Sequence, residues 1–94
     1  MVEEIRNTLN RMIELLRVGG LNNLARSFEQ IVGNLDNDAS GAANQILGSY
    51  GGMGSLNDIV LYAGSRPLAK ENNEFDALRS KLYDLCLELR GRGA

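Results

Sequence analysis

Between Tyr50 and Tyr62 the chain reads YGGMGSLNDIVLY, and the side chains best suited to meet a ligand gather there. Gly51, Gly52 and Gly54 could let backbone amides close around an anion, with Ser55, Asn57 and Asp58 beside them and Arg66 just beyond. The comparison with phosphate loops is poor, because G-K-[ST] is missing, the G-x-G-x-x-G spacing fails, and the preceding segment reads as helix rather than strand. The simpler reading is a helix stop and turn, in which Gly51 and Gly52 take positive φ and Ser55 caps a new helix. Asp58 alone is a thin general base or metal ligand, since such sites gather several oxygens or a paired group; bonding the turn amides or pairing with Arg66 suits it better. Met53 is an apolar side chain that a mere turn does not require.

The rest of the chain offers little chemistry. There is no histidine, which removes the commonest general base and transition-metal ligand. The single cysteine, Cys86, falls beside a leucine seam and reads as a small buried hydrophobe, and it can form no internal disulfide. Asp36 and Asp38 lack the remainder of a calcium loop and serve readily as helix caps. We therefore expect no enzyme, no cofactor and no bound metal.

The elements that position these residues follow from apolar spacing. Val2, Ile5, Leu9, Met12, Ile13 and Leu16 step by three and four, predicting a helix from Val2 to Arg17 that stops at Gly19-Gly20. Leu21 to Val32 repeats the pattern, with Gly33 and Asn34 as breakers. A third helix, from Ala39 to Tyr50, carries an alanine-rich stripe and is expected in the crowded middle of the packing. Phe75, Leu78, Leu82, Leu85 and Leu89 make the cleanest stripe, on a last helix capped by Asn72 or Asn73 and packed against the first. Ser55 to Tyr62 is ambiguous between strand and helix; the Ser55/Asp58 cap and the want of a strand partner favour a short helix. Gly64 to Glu71 is expected to be a loop, with Pro67 biasing Arg66 to an extended conformation. The fold class is all-α, a compact bundle of four main helices plus one short helix after a Gly-rich loop, in a single domain over 1–94.

Composition narrows the function classes. Twelve acids against ten bases, scattered along 94 residues, give a formal charge of −2 and no concentrated basic face for nucleic acid. No stretch approaches a membrane span, and acids stand where a signal peptide would be basic, so a cytoplasmic protein is expected. Tyr50 continues the third stripe and reads as core, whereas Tyr62 reads as interface. A thin core would gain from burying further surface against a partner or in a homodimer.

The stretch from Ile46 to Tyr62, with the helix EFDALRSKLYDL from Glu74 to Leu85, resembles a family of small bacterial proteins of unknown function with the signature G-G-M-G-S-[FL]-N-D-[LI]-V-[LI]. The resemblance implies bacterial origin and a helical fold, and it carries over no catalytic residue. Small bacterial domains of this style are similar to immunity proteins, which neutralise a toxin by binding it. The expected function is a non-enzymatic protein-binding module; the alternative is a small-molecule or anion sensor using the Gly51–Asp58 loop with Asn57 and Arg66.

Overall fold

The computed structural model describes residues 1–50 and 58–93. Helix α1 spans Val2–Val18, and its apolar stripe buries Ile5, Leu9, Met12, Ile13, Leu15 and Leu16. Thr8 is buried on the same side; its hydroxyl is satisfied by donating to the Glu4 carbonyl at 2.7 Å. The helix ends in a Schellman motif. Gly20 takes φ +77° and donates to the Arg17 carbonyl, and Leu21 donates to the Leu16 carbonyl at 2.8 Å. The left-handed conformation at Gly20 is the reason a glycine stands there.

Helix α2 spans Asn22–Asn34 and turns Ala25, Phe28 and Ile31 inward. It runs two residues beyond the expected end at Val32, through Gly33, a residue that tertiary packing can hold in a helix at a cost of about 1 kcal/mol. Leu35 is then buried in the connection. Asp38 caps α3 (Ala39–Leu47) by accepting from the Gly41 amide at 2.9 Å. The helix is shorter than its stripe suggested. Residues 48–50 form a turn, and Tyr50 leaves the helical register to donate its hydroxyl to the Arg79 carbonyl at 2.7 Å.

Beyond the undescribed residues, Tyr62–Ala63 (β1) pairs antiparallel with Arg66–Pro67 (β2), Tyr62 opposite Pro67 and Ala63 opposite Arg66. Of the short helix expected from Ser55 to Tyr62, the described part is 58–62: Asp58 is in 3₁₀-helical conformation, whereas residues 59–61 are not helical and Tyr62 opens β1; the loop expected from Gly64 to Glu71 is instead a turn, a strand and a helix start. The reason is local. Gly64 takes φ +64° while Ser65 does not, the pattern of a two-residue type II′ hairpin, so β1 finds its partner four residues downstream. Arg66 before Pro67 is extended, as expected.

Helix α4 spans Ala69–Gly93 and so begins three residues before the asparagines expected to cap it. Its fully buried line is Phe75, Leu82 and Cys86, with Leu78, Leu85 and Leu89 only half-buried. A strict 3.5-residue seam drifts around a straight α-helix by about 20° per heptad, and that drift brings Cys86 from the flank to the centre of the buried face.

Helices α1 to α4 close a ring. α1 packs on α2 and α4, α3 packs on α4, and α2 meets α3 more lightly. The middle of the packing is therefore α1, with seven buried residues, rather than the alanine-striped α3. Ion pairs tie the ring at its surface: Arg6 with Asp36, Arg17 with Glu29 at 2.6 Å, and Arg11 with Glu74. The body measures 43 × 22 × 21 Å.

Candidate protein-docking surface

The hairpin is fastened to the bundle through one residue. Leu61 is wholly buried, and its amide donates to Asn72 Oδ1 at 2.7 Å while Asn72 Nδ2 donates back to the Leu61 carbonyl at 3.0 Å. The same carbonyl also accepts from the Leu68 amide at 2.9 Å. Asn72 lies in the first turn of α4, where its own amide bonds the Leu68 carbonyl; its side chain imitates a strand partner rather than capping the helix. The Leu61 side chain presses on the α1–α2 turn. A Cβ added at Gly19 would lie 2.8 Å from Leu61 Cδ2 and 3.2 Å from its Cβ, so any larger residue there would have to push Leu61 aside.

This knot decides what faces solvent. With Leu61 turned inward, strand alternation turns its neighbours out: Val60 and Tyr62 are 47% and 46% exposed. Val18 precedes Gly19 and is 61% exposed. Of the four large hydrophobic residues that the described chain leaves exposed, three therefore flank the Gly19–Leu61 contact at one end of the bundle. Beside them Gly20, Leu21, Asn22, Asn23 and Leu24 line a shallow, open concavity of about 450 Å³. A second one, about 300 Å³, lies at the α2–α3 connection among Asn34, Asn37, Asp38 and Gln45.

The residues singled out from sequence fare unequally. Gly51, Gly52, Met53, Gly54, Ser55 and Asn57 lie outside the described residues. Asp58 is exposed and engaged rather than free. Tyr62 and Arg66 are both exposed on the hairpin, but the register sets Tyr62 with Pro67 on one face and Ala63 with Arg66 on the other, so they do not share a face. Arg66 makes no ion pair among the described residues. Val18 and the Leu61–Asn72 pairing were missed. Val18 could have been noticed as a large apolar residue off the α1 stripe, whereas nothing in the spacing of Leu61 and Asn72 announces their contact.

The titratable groups are tuned by packing. Arg11 grips Glu74 with two parallel bonds, Nε to Oε2 at 2.6 Å and Nη2 to Oε1 at 2.9 Å, which hold the Glu74 carboxyl below its usual range and the guanidinium above its own. Burial raises the Tyr50 hydroxyl, whose ring meets Tyr83 edge-on at 5.0 Å. Burial also pushes the Cys86 thiol up to about 11. Among the described residues no three of His, Cys, Asp and Glu cluster as metal ligands, and no helix is long and apolar enough to cross a membrane.

Fold and surface together define a small helical bundle that carries a pinned hairpin, with exposed apolar residues on both chain segments that meet at the Gly19–Leu61 contact. The chain belongs to the family described as Domain of unknown function (DUF6966), whose model matches residues 17–69, more than half its length. The matched span runs from the last turn of α1 through α2, α3 and the hairpin to the first residue of α4, so it includes Gly19 and Leu61 and stops before the Glu74–Leu85 helix. No curated protein and no solved structure matches the chain.

Proposed function

We propose that this chain is a non-enzymatic protein-binding module of the bacterial cytoplasm, of immunity type, that meets its partner through Val18, Val60 and Tyr62. The observation that carries the reading is the gathering of these three exposed side chains around one contact, Gly19 with Leu61, beside the Gly20–Leu24 concavity. Exposed apolar groups held together on a rigid support mark interaction sites, and tyrosine at the rim supplies area at small entropic cost. The absence of histidine from the sequence and the raised, buried thiol of Cys86 support a role without nucleophilic chemistry at neutral pH. The stretch GGMGSLNDIVL, residues 51–61, falls inside the span matched by the family and includes Val60.

The test pairs recovery with a surface variant. Tagged wild-type chain and a Val18→Asp/Tyr62→Asp double variant are each expressed in the native host and purified. The expected result is a stoichiometric partner on the wild type and none on the variant, with equal helical circular dichroism. A partner retained by the variant removes this surface from consideration. For the immunity reading, co-expression with the product of a neighbouring toxin gene should abolish its toxicity, and unchanged killing refutes it.

A second reading rests on Arg66, exposed and unpaired among the described residues: an anion sensor in which Arg66 acts with Asn57 and the Gly51–Asp58 segment. At one hundred times Kd a phosphorylated metabolite should add about 2.7 kcal/mol of stability. A thermal-shift screen that returns no hit, or hits that survive Arg66→Ala, discards it.

A further inference from the structure

The exposed edge of β1 is built to pair. The peptide bonds here are trans, so a peptide's C=O and N–H point opposite ways. The Leu61 amide points to Asn72, which sends the Val60 carbonyl outward; the Leu61 carbonyl points to Leu68 and Asn72, which sends the Tyr62 amide outward. Tyr62 opposite Pro67 is the wide, non-hydrogen-bonded pair between the bonded pairs Leu61–Leu68 and Ala63–Arg66, so the Tyr62 carbonyl also faces away from β2. Three strand groups, Val60 C=O, Tyr62 N–H and Tyr62 C=O, thus stand in a row without an intramolecular partner among the described residues. The far edge is closed to pairing. There Pro67 occupies the outward position and has no donor.

We infer that this edge pairs with the same edge of a second copy of the chain, antiparallel about a two-fold axis through Tyr62. The pairing is self-complementary: each Tyr62 amide donates to the other's carbonyl, and each Val60 side chain faces Gly64 of the second copy, where no side chain obstructs it. The two Tyr62 rings fall side by side on the face already occupied by Val60. From Val60 to Ser65 the segment VLYAGS carries no charge, so two copies meet without like-charge repulsion, and Arg66 lies one strand away on the opposite face. Pairing also converts a two-stranded ribbon, marginal by itself, into a four-stranded sheet. With one fully bonded residue per copy the buried area is at the low end for specific contacts, so the dimer is weak and concentration-dependent. This inference rests on the reading of Val60 and Tyr62 as a contact surface and names a second copy as its occupant.

Sedimentation velocity of the full chain from micromolar to millimolar concentration tests it, alongside amide exchange followed by NMR. The expected result is a reversible monomer–dimer equilibrium in which the Tyr62 amide becomes protected as dimer forms. Val60→Lys, which sets two charges on the shared sheet, should weaken the dimer by about tenfold or more while leaving the monomer's spectrum intact. A monomer throughout the range overturns the inference, as does a dimer unaffected by Val60→Lys or one with an unprotected Tyr62 amide. The proposed function fails separately: a monomer that still recovers a partner through Val18 and Tyr62 sinks only the self-pairing, and a dimer that recovers no partner sinks only the docking role.

Discussion

The Asn72 side chain, one turn into α4, closes both backbone hydrogen-bonding groups of Leu61, at 2.7 and 3.0 Å. An amide group presents one acceptor and two donors in the geometry of a peptide, so Asn72 acts as a one-residue strand and turns Leu61 into the anchor of the hairpin.

Removing that amide should loosen the docking end specifically. Asn72→Ala leaves the Leu61 N–H buried without a partner, while its carbonyl keeps Leu68, and should cost about 1–3 kcal/mol. For a chain this size that is a fall in Tm of roughly 4–8 °C per kcal/mol. Asn72→Asp keeps the acceptor but faces a carboxylate oxygen to the Leu61 carbonyl and should be no better. Urea unfolding of both variants checks this, and a midpoint equal to wild type would refute the clamp.

The floor beneath Leu61 makes a sterically opposite prediction. Gly19→Ala places a methyl within 2.8 Å of Leu61 Cδ2 and should cost about 1–3 kcal/mol by overpacking. Gly20→Ala meets no atom within 4 Å but must hold φ near +77°, costing about 1–2 kcal/mol through the backbone alone. The two are told apart by a Leu61→Ala background, in which the penalty at Gly19 should shrink and that at Gly20 should not.

Acid should act through Glu74. Its carboxyl is held below the ordinary 4.5, first by the hydrogen bonds from Arg11. The folded chain therefore holds this proton less tightly than the unfolded one, so the contribution is complete above about pH 4.5 and is lost as pH falls through the lowered value. Glu74→Gln should flatten the acid limb of a stability–pH curve and leave pH 7 to 8 little changed, because exposed pairs contribute modestly. An identical acid limb in the variant would contradict the assignment.

At the alkaline end the sign reverses. Cys86 is raised from 9.0 to about 11 by burial, and Tyr50 is raised above its ordinary 10.0 for the same reason. Both groups are held neutral by the fold, so their contribution is complete below about pH 9 and is lost as pH rises through about 11 and beyond. A thiol reagent at pH 8 should accordingly modify Cys86 only as fast as the chain opens, and in denaturant at once. Rapid labelling of the native chain would place Cys86 elsewhere than in the core.

Helices α1, α2 and the apolar side of α4 were legible because their stabilising contacts follow a 3.6-residue period that any reading of spacing detects. The hairpin was not. Tyr62–Ala63 was denied a strand partner because two-residue strands are too short to show alternation, and the turn that pairs them depends on φ +64° at Gly64. The start of α4 was placed too late because Asn72 has the type of an N-cap, while its partner, eleven residues upstream, is chosen by packing.

By itself, then, the sequence determined the helical class, the Gly19-Gly20 stop, the Asp38 cap, the extended Arg66 and the burial of Cys86, since each depends on a side chain's own conformational preference or on local periodicity. Only the tertiary structure decided that Leu61 lies on Gly19, that Asn72 closes it, and that Val18, Val60 and Tyr62, the chain neighbours of that contact, are left in solvent. Those outcomes join residues up to 53 positions apart, Gly19 with Asn72 through Leu61, and contacts of that kind are set by which surfaces exclude water together rather than by any residue's neighbours in the chain.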